Sequence, residues 1–161
     1  MKPTVRDFLY KVQKTVDKDQ DEKISAILEG RKNVLNLKII VIVDVSGSIS
    51  RTQFCAFMSQ INLIRGLSQV KVLEADTKVV AVYDYFKVNQ NQVMRLQGGG
   101  GTDLVSAFEM AKKTKCDALL CMTDGCDMRN VKDPGIPVAW VLTQHGVKPY
   151  SWGTVCAKVD K

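Results

Sequence analysis

Residues 37 to 48 read Leu37-Lys38-Ile39-Ile40-Val41-Ile42-Val43-Asp44-Val45-Ser46-Gly47-Ser48. After Lys38 the run Ile39 to Val43 is wholly apolar and β-branched, as in a central parallel strand buried on both faces. The run ends in one carboxylate, and two hydroxyls follow at spacings of two. Such a strand end presents hard oxygen ligands to a single point. Two later segments supply matching oxygens: Thr102 after Gly98-Gly99-Gly100-Gly101, and Asp124 within Met122-Thr123-Asp124-Gly125. Hard oxygens suit Mg²⁺, Mn²⁺ or Ca²⁺ and not a soft metal. Asp44, Ser46, Ser48, Thr102 and Asp124 are therefore the expected ligands of a divalent cation.

Outward from this stretch, strands and helices alternate. Ser50 and Gln53 have the spacing of a capping box and open a helix that buries Phe54, Phe57, Met58, Ile61 and Ile64 before Gly66. Val70 to Ala75 and Val79 to Phe86 are strands joined only by Asp76-Thr77-Lys78. So short a link permits an antiparallel hairpin and forbids a parallel crossover. Asp103 is placed to cap a helix carrying Leu104, Ala107, Phe108 and Ala111, with lysines in its last turn where the helix dipole favours them. Ala118 to Met122 and Val138 to Leu142 are further buried strands, and Trp152 to Val159 contains a last short one. The alternation predicts an α/β fold: three layers around a doubly wound, mostly parallel sheet with one antiparallel edge strand. Ligands of such sheets bind at the carboxyl ends of the strands, where Asp44 to Ser48 and Asp124 fall.

Residues 1 to 36 form a helical segment ahead of the sheet domain at 37 to 161. Val5, Phe8, Leu9, Val12 and Val16 recur with helical period behind a Thr4/Asp7 cap. Ile24, Ile27 and Leu28 give a second stripe, stopped by Gly30. The stretch Thr143 to Ser151 is too short for a helical crossover, and no helix follows the last strand. One sheet face then lacks a cover, and the two N-terminal helices are expected to supply it as an integral part of the fold.

The chain has 161 residues, 45% hydrophobic and 25% charged, which is ordinary for one globular domain. Its net charge of +6 raises nucleic acid as a partner, but the basic residues are scattered rather than striped, which argues against it. The five cysteines contain no Cys-x-x-Cys pair, several sit in apolar runs, and the longest apolar runs are too short to span a bilayer. These features predict a cytoplasmic protein with no membrane association.

The set Asp44-x-Ser46-x-Ser48, Thr102 and Asp124 resembles the metal-ion-dependent adhesion site of von Willebrand factor A (VWA) domains, over about residues 37 to 159. It is most similar to bacterial VWA-like domains with a Gly-Gly-Gly-Thr-Asp loop, here Gly99-Gly100-Gly101-Thr102-Asp103. Met122-Thr123-Asp124-Gly125 and Val141-Leu142-Thr143 match two further strand ends of that group. The resemblance implies a VWA/Rossmann-like fold and a cation, Mg²⁺ first, held directly by Ser46, Ser48 and Thr102. Asp44 and Asp124 would act largely through bound water. Neutral hydroxyls leave much of the cation's charge uncompensated, so the open position attracts an Asp or Glu of a protein partner. Domains of this kind are often paired with MoxR-type AAA+ ATPases, which implies an adaptor role; self-association is left open.

No catalytic residue is expected. The alternative is a metal-dependent phosphatase or hydrolase on a similar sheet, but such enzymes use Asp-x-Asp at the first strand end, and Ser46 stands at the second position. A basic nucleic-acid-binding component is the other alternative. The glycine run lacks the lysine of a phosphate-binding loop. His145, the single histidine, falls in the loop after the strand ending at Thr143, on the rim of the site or simply in solvent. Trp140 reads as core, whereas Tyr150 and Trp152 could face either way.

Overall fold

The computed structural model describes residues 4–18, 37–64, 69–85, 100–126 and 129–159. The elements are α1 (Val5–Lys18), β1 (Lys38–Asp44), α2 (Arg51–Ile64), β2 (Gln69–Ala75), β3 (Val79–Asp84), α3 (Val105–Lys113), β4 (Ala118–Thr123), β5 (Val138–Thr143) and β6 (Thr154–Val159). They build one six-stranded sheet of order β3-β2-β1-β4-β5-β6. Every neighbouring pair is parallel except β2 and β3, the hairpin its three-residue link demands. The expected α/β architecture is present. The stripe at Ile24, Ile27 and Leu28, and with it the second N-terminal helix, lies outside the described residues, as do Gly66, Phe86, Gly98 and Gly99.

Local signals set the helix starts. The amide of Thr4 donates to Asp7 Oδ2 at 2.9 Å, and the amide of Asp7 donates to Thr4 Oγ1 at 3.1 Å. Ser50 and Gln53 make the same reciprocal pair at 2.9 and 3.1 Å. Each box satisfies amides that a helix start would otherwise leave unpaired. Asp103 differs from expectation. Leu104, not Asp103, is the cap residue of α3 and makes no side-chain cap bond, while Asp103 Oδ1 accepts the Val105 amide at 3.1 Å. The Asp103 amide is itself tied to the carbonyl of Asp76 at 2.6 Å, which holds it a step before the helix.

Two apolar layers sandwich the sheet. Ile39, Val41 and Val43 of β1 pack beneath α2 and α1, and Ile40 and Ile42 face α3. This division follows from right-handed crossovers. The β1-to-β2 connection moves one way along the sheet and lies on the first face. The connections out to β4, β5 and β6 move the other way and lie on the second. The first face of β5 and β6 therefore receives no crossover helix of its own; α1 covers it with buried Val5, Phe8, Leu9 and Val12, and α2 also touches β6. On the second face the β5-to-β6 link is too short for a helix. Aromatic rings take its place: Trp152 stacks on Tyr150 with ring centroids 4.8 Å apart and lies 5.3 Å from fully buried Trp140. Trp140 Nε1 donates to the carbonyl of Trp152 at 3.1 Å, so the roof is hydrogen-bonded as well as apolar.

One charged group is buried within the first face. Glu74 is 2% exposed and accepts the Tyr83 hydroxyl at 2.9 Å. Burial raises the Glu74 carboxyl above its ordinary range, and this hydrogen bond lowers it in part. Among the described residues no helix is long and apolar enough to cross a membrane.

Candidate cation site

The strand order changes direction between β1 and β4. The loop after β1 turns towards one face and the loop after β4 towards the other, which leaves a crevice at their carboxyl ends. The sequence places Asp44 and Asp124 at the lip of that crevice, one on each strand end.

Asp44 is fully buried, and both of its oxygens are engaged. Oδ1 accepts the amide of Ser46 at 2.9 Å, and Oδ2 accepts the hydroxyl of Thr123 at 2.5 Å. Burial pushes the Asp44 carboxyl above its usual range; bonds from Ser46 and Thr123 counter this, and the nearby charge of Asp124 adds to the rise. Among the described residues no lysine or arginine pairs with either carboxylate. Two anionic groups thus converge without a protein cation, an arrangement that a bound cation would relieve.

The turn after β1 folds on itself, with the Ile49 amide donating to the carbonyl of Ser46 at 3.0 Å. This brings the Ser46 and Ser48 hydroxyl oxygens to 3.2 Å. Two neighbouring ligands of an octahedral Mg²⁺, each about 2.1 Å from the metal, would stand about 3.0 Å apart. The donor chemistry and this separation both fit a hard divalent cation. Ser46 is buried and Ser48 exposed, so the pair bridges the interior and solvent.

Thr102 is half-buried, and its loop is held at both ends. Gly47 donates its amide to the carbonyl of Gly100 at 2.9 Å, tying this loop to the serine turn. Asp76 supplies the second hold, through its carbonyl on the Asp103 amide and through Oδ2 on the Gly100 amide at 3.3 Å. Asp76 is only 7% exposed. Burial raises its carboxyl, but the amides of Thr77, Lys78 and Gly100 outweigh that and hold it below the usual range. Sequence reasoning treated Asp76 as a hairpin link only. Its signal was its position, directly past the end of the strand beside β1.

Asp124 is 8% exposed and Oδ1 accepts the amide of Cys126 at 2.9 Å. Its carbonyl accepts the Val147 amide at 2.9 Å, so the turn after β5 packs against it. His145 stands exposed on that turn. Thr123 was also missed: it gives its hydroxyl to Asp44 and accepts the Gly125 amide at 3.0 Å, linking both halves of the crevice. The structure therefore gathers the loops of all five predicted residues at one end of the sheet. Among the described residues Thr102 makes no hydrogen bond to either serine, and no three His, Cys, Asp or Glu residues cluster as metal ligands.

A three-layer sheet with its site at the reversal of strand order defines the class. The family model for the VWA-like domain (DUF2201) matches residues 39–158, most of the chain, and the protein belongs to this VWA-like domain family. No curated protein matches the chain.

Proposed function

We propose that this protein is a divalent-metal-dependent protein-interaction module whose bound Mg²⁺, or Mn²⁺ or Ca²⁺, receives an Asp or Glu side chain of a protein partner. The observation that carries this reading is the pair of serine hydroxyls 3.2 Å apart beside a buried carboxylate that, among the described residues, pairs with no lysine or arginine. Ser46, Ser48 and Thr102 would hold the ion directly, with Asp44 and Asp124 behind them. The ion would supply positive charge in a crevice otherwise lined by acids, and thus an attraction for an incoming carboxylate. The protein's own residues position the hydroxyls and keep Asp44 dry.

A binding role is favoured over catalysis because both Asp44 oxygens and Asp124 Oδ1 are committed to amides and a hydroxyl of their own chain, and position 46 carries no acid or base. By resemblance, the partner belongs to an assembly containing a MoxR-type AAA+ ATPase, with this chain as adaptor. Cytoplasmic residence is part of the same proposal and is supported by five free cysteines. The test is a pull-down from cell extract with Mg²⁺ or with chelator, using wild type and Ser46→Ala/Ser48→Ala. A partner that needs both the ion and the serines is the expected result. Equal retention under all four conditions would refute metal-dependent binding.

A further inference from the structure

The opposite end of the sheet carries a second concave feature. The amino ends of β1 and β2 and the carboxyl end of α3 enclose an open cleft of about 420 Å³. Lys38, Lys71 and Lys115 reach it from three different elements, with Asp84 of β3 among them. Asp84 Oδ1 lies 3.9 Å from Lys71 Nζ and offsets one of the three cations. The Asp117 carboxylate, at the rim on the Lys38 amide, offsets a second, and one positive charge remains in excess. The six residue steps from Lys38 to Asp44 put the cleft about 20 Å from the candidate cation site.

Among the described residues these ammonium groups make no hydrogen bonds. At the cleft the backbone is already paired: Lys38 donates to Asp117 Oδ2 at 2.8 Å, and Asp117 and Gln69 donate to the carbonyls of Lys38 and Leu37. Among the described residues neither Lys38 nor Lys115 has a side-chain partner. The negative end of α3 would oppose an anion, but Thr114 covers the Met110 carbonyl with both its amide and its hydroxyl. Cys116 in the wall has its thiol pushed up to about 11 by burial and by the charge of Asp117, so it stays protonated and offers no thiolate for metal or nucleophilic chemistry.

Lys115 provides an independent observation. Its φ of 51° makes it the single non-glycine residue in the left-handed region among the described residues. It directly follows Thr114, the C-cap of α3, at a position where glycine is usual and asparagine next. Lys112 and Lys113 already complement the helix dipole in the last turn, so a third lysine is surplus for that purpose. A strained backbone that keeps a charge the helix does not need points to a use for the charge.

We propose that this cleft is a second ligand site that takes a small polyvalent oxyanion of the phosphate class through the ammonium groups of Lys38, Lys71 and Lys115. Its volume lies within the range of small-molecule sites. Binding there is independent of the cation site.

The test is a titration of inorganic pyrophosphate into the metal-free protein in chelator, at low salt, by calorimetry and amide chemical shifts, beside an orthophosphate titration. Saturable one-to-one binding is expected, tighter for pyrophosphate than for orthophosphate. Ser46→Ala/Ser48→Ala should bind like wild type, which separates this proposal from the cation site. Lys38→Met and Lys115→Gly should each weaken binding about tenfold. Lys115→Gly should also melt about 2–4 °C higher, because strain is released. If that variant does not fold, Lys115→Asn tests the same point. Non-saturable binding, equal affinity for the two anions, or a Lys115→Gly protein that melts higher yet binds unchanged would each overturn the proposal.

Discussion

The hydroxyl of Thr123 donates to Asp44 Oδ2 at 2.5 Å across 79 positions of sequence, and the Gly125 amide donates to the same hydroxyl at 3.0 Å. One side chain thus fixes the carboxylate at the end of β1 to the turn that carries Asp124. The two halves of the crevice are held together before any ligand arrives.

Thr123→Val keeps the shape and removes this link. A buried acceptor left without its donor costs about 1–3 kcal/mol. Denaturant unfolding should show a loss of that size, and cation affinity should fall as well, although Thr123 is not among the proposed ligands. Unchanged stability and affinity would mean that the link does not organise the site.

Asp76 makes a prediction with a pH signature. Asp76→Ala frees the Gly100 to Asp103 loop and should cost about 2 kcal/mol, the value of hydrogen bonds to a charged group. The folded carboxyl lies below its ordinary value, so its contribution is complete above the unfolded value of about 3.9 and fades as pH falls through the lower, folded one. The stability difference between wild type and variant should therefore be constant from pH 5 to 7 and shrink towards pH 2.5. A difference that does not change with pH would contradict this account of the carboxylate.

Gly125 has φ +74°, and a Cβ there would meet the Val147 carbonyl oxygen at 1.8 Å. Gly125→Ala combines left-handed strain with a backbone clash, so the turn after β4 must move and displace Asp124. A stability loss of at least about 2 kcal/mol is expected, together with weaker cation binding. A variant that melts like wild type would show that this turn is not tightly packed.

Leu9 is fully buried where α1 covers the first face of β5 and β6. Leu9→Ala should lose about 2–5 kcal/mol, as a core truncation does. Thermal unfolding should remain a single transition. A change below 0.5 kcal/mol, as for a surface site, would show that α1 is dispensable for the sheet.

What the sequence disclosed was local in origin. The β-branched run before Asp44, the two capping boxes and the three-residue hairpin link each carry their physics within a few positions, and all are found in place. The single short link even fixed which strand pair runs antiparallel. What stayed hidden depends on which strand ends become neighbours. Nothing around Asp76 signals that the loop at Gly100 will lie beside it, and Thr123 reads as one more strand residue until β4 pairs with β1. Tyr150 and Trp152 were undecided for the same reason: their role as a roof needs the missing crossover helix and Trp140 beneath.

The central claim is that Ser46 and Ser48, placed over Asp44, bind a divalent cation. The most direct measurement is the melting temperature of chelator-stripped protein as Mg²⁺ is added, for wild type and for Ser46→Ala/Ser48→Ala. Ligand at a hundredfold its dissociation constant stabilises by about 2.7 kcal/mol, or about 5–10 °C for a chain of this size. The account predicts that rise in wild type and a flat response in the variant. A wild type whose melting is unmoved by Mg²⁺, Mn²⁺ or Ca²⁺, or a variant that responds equally, would contradict it.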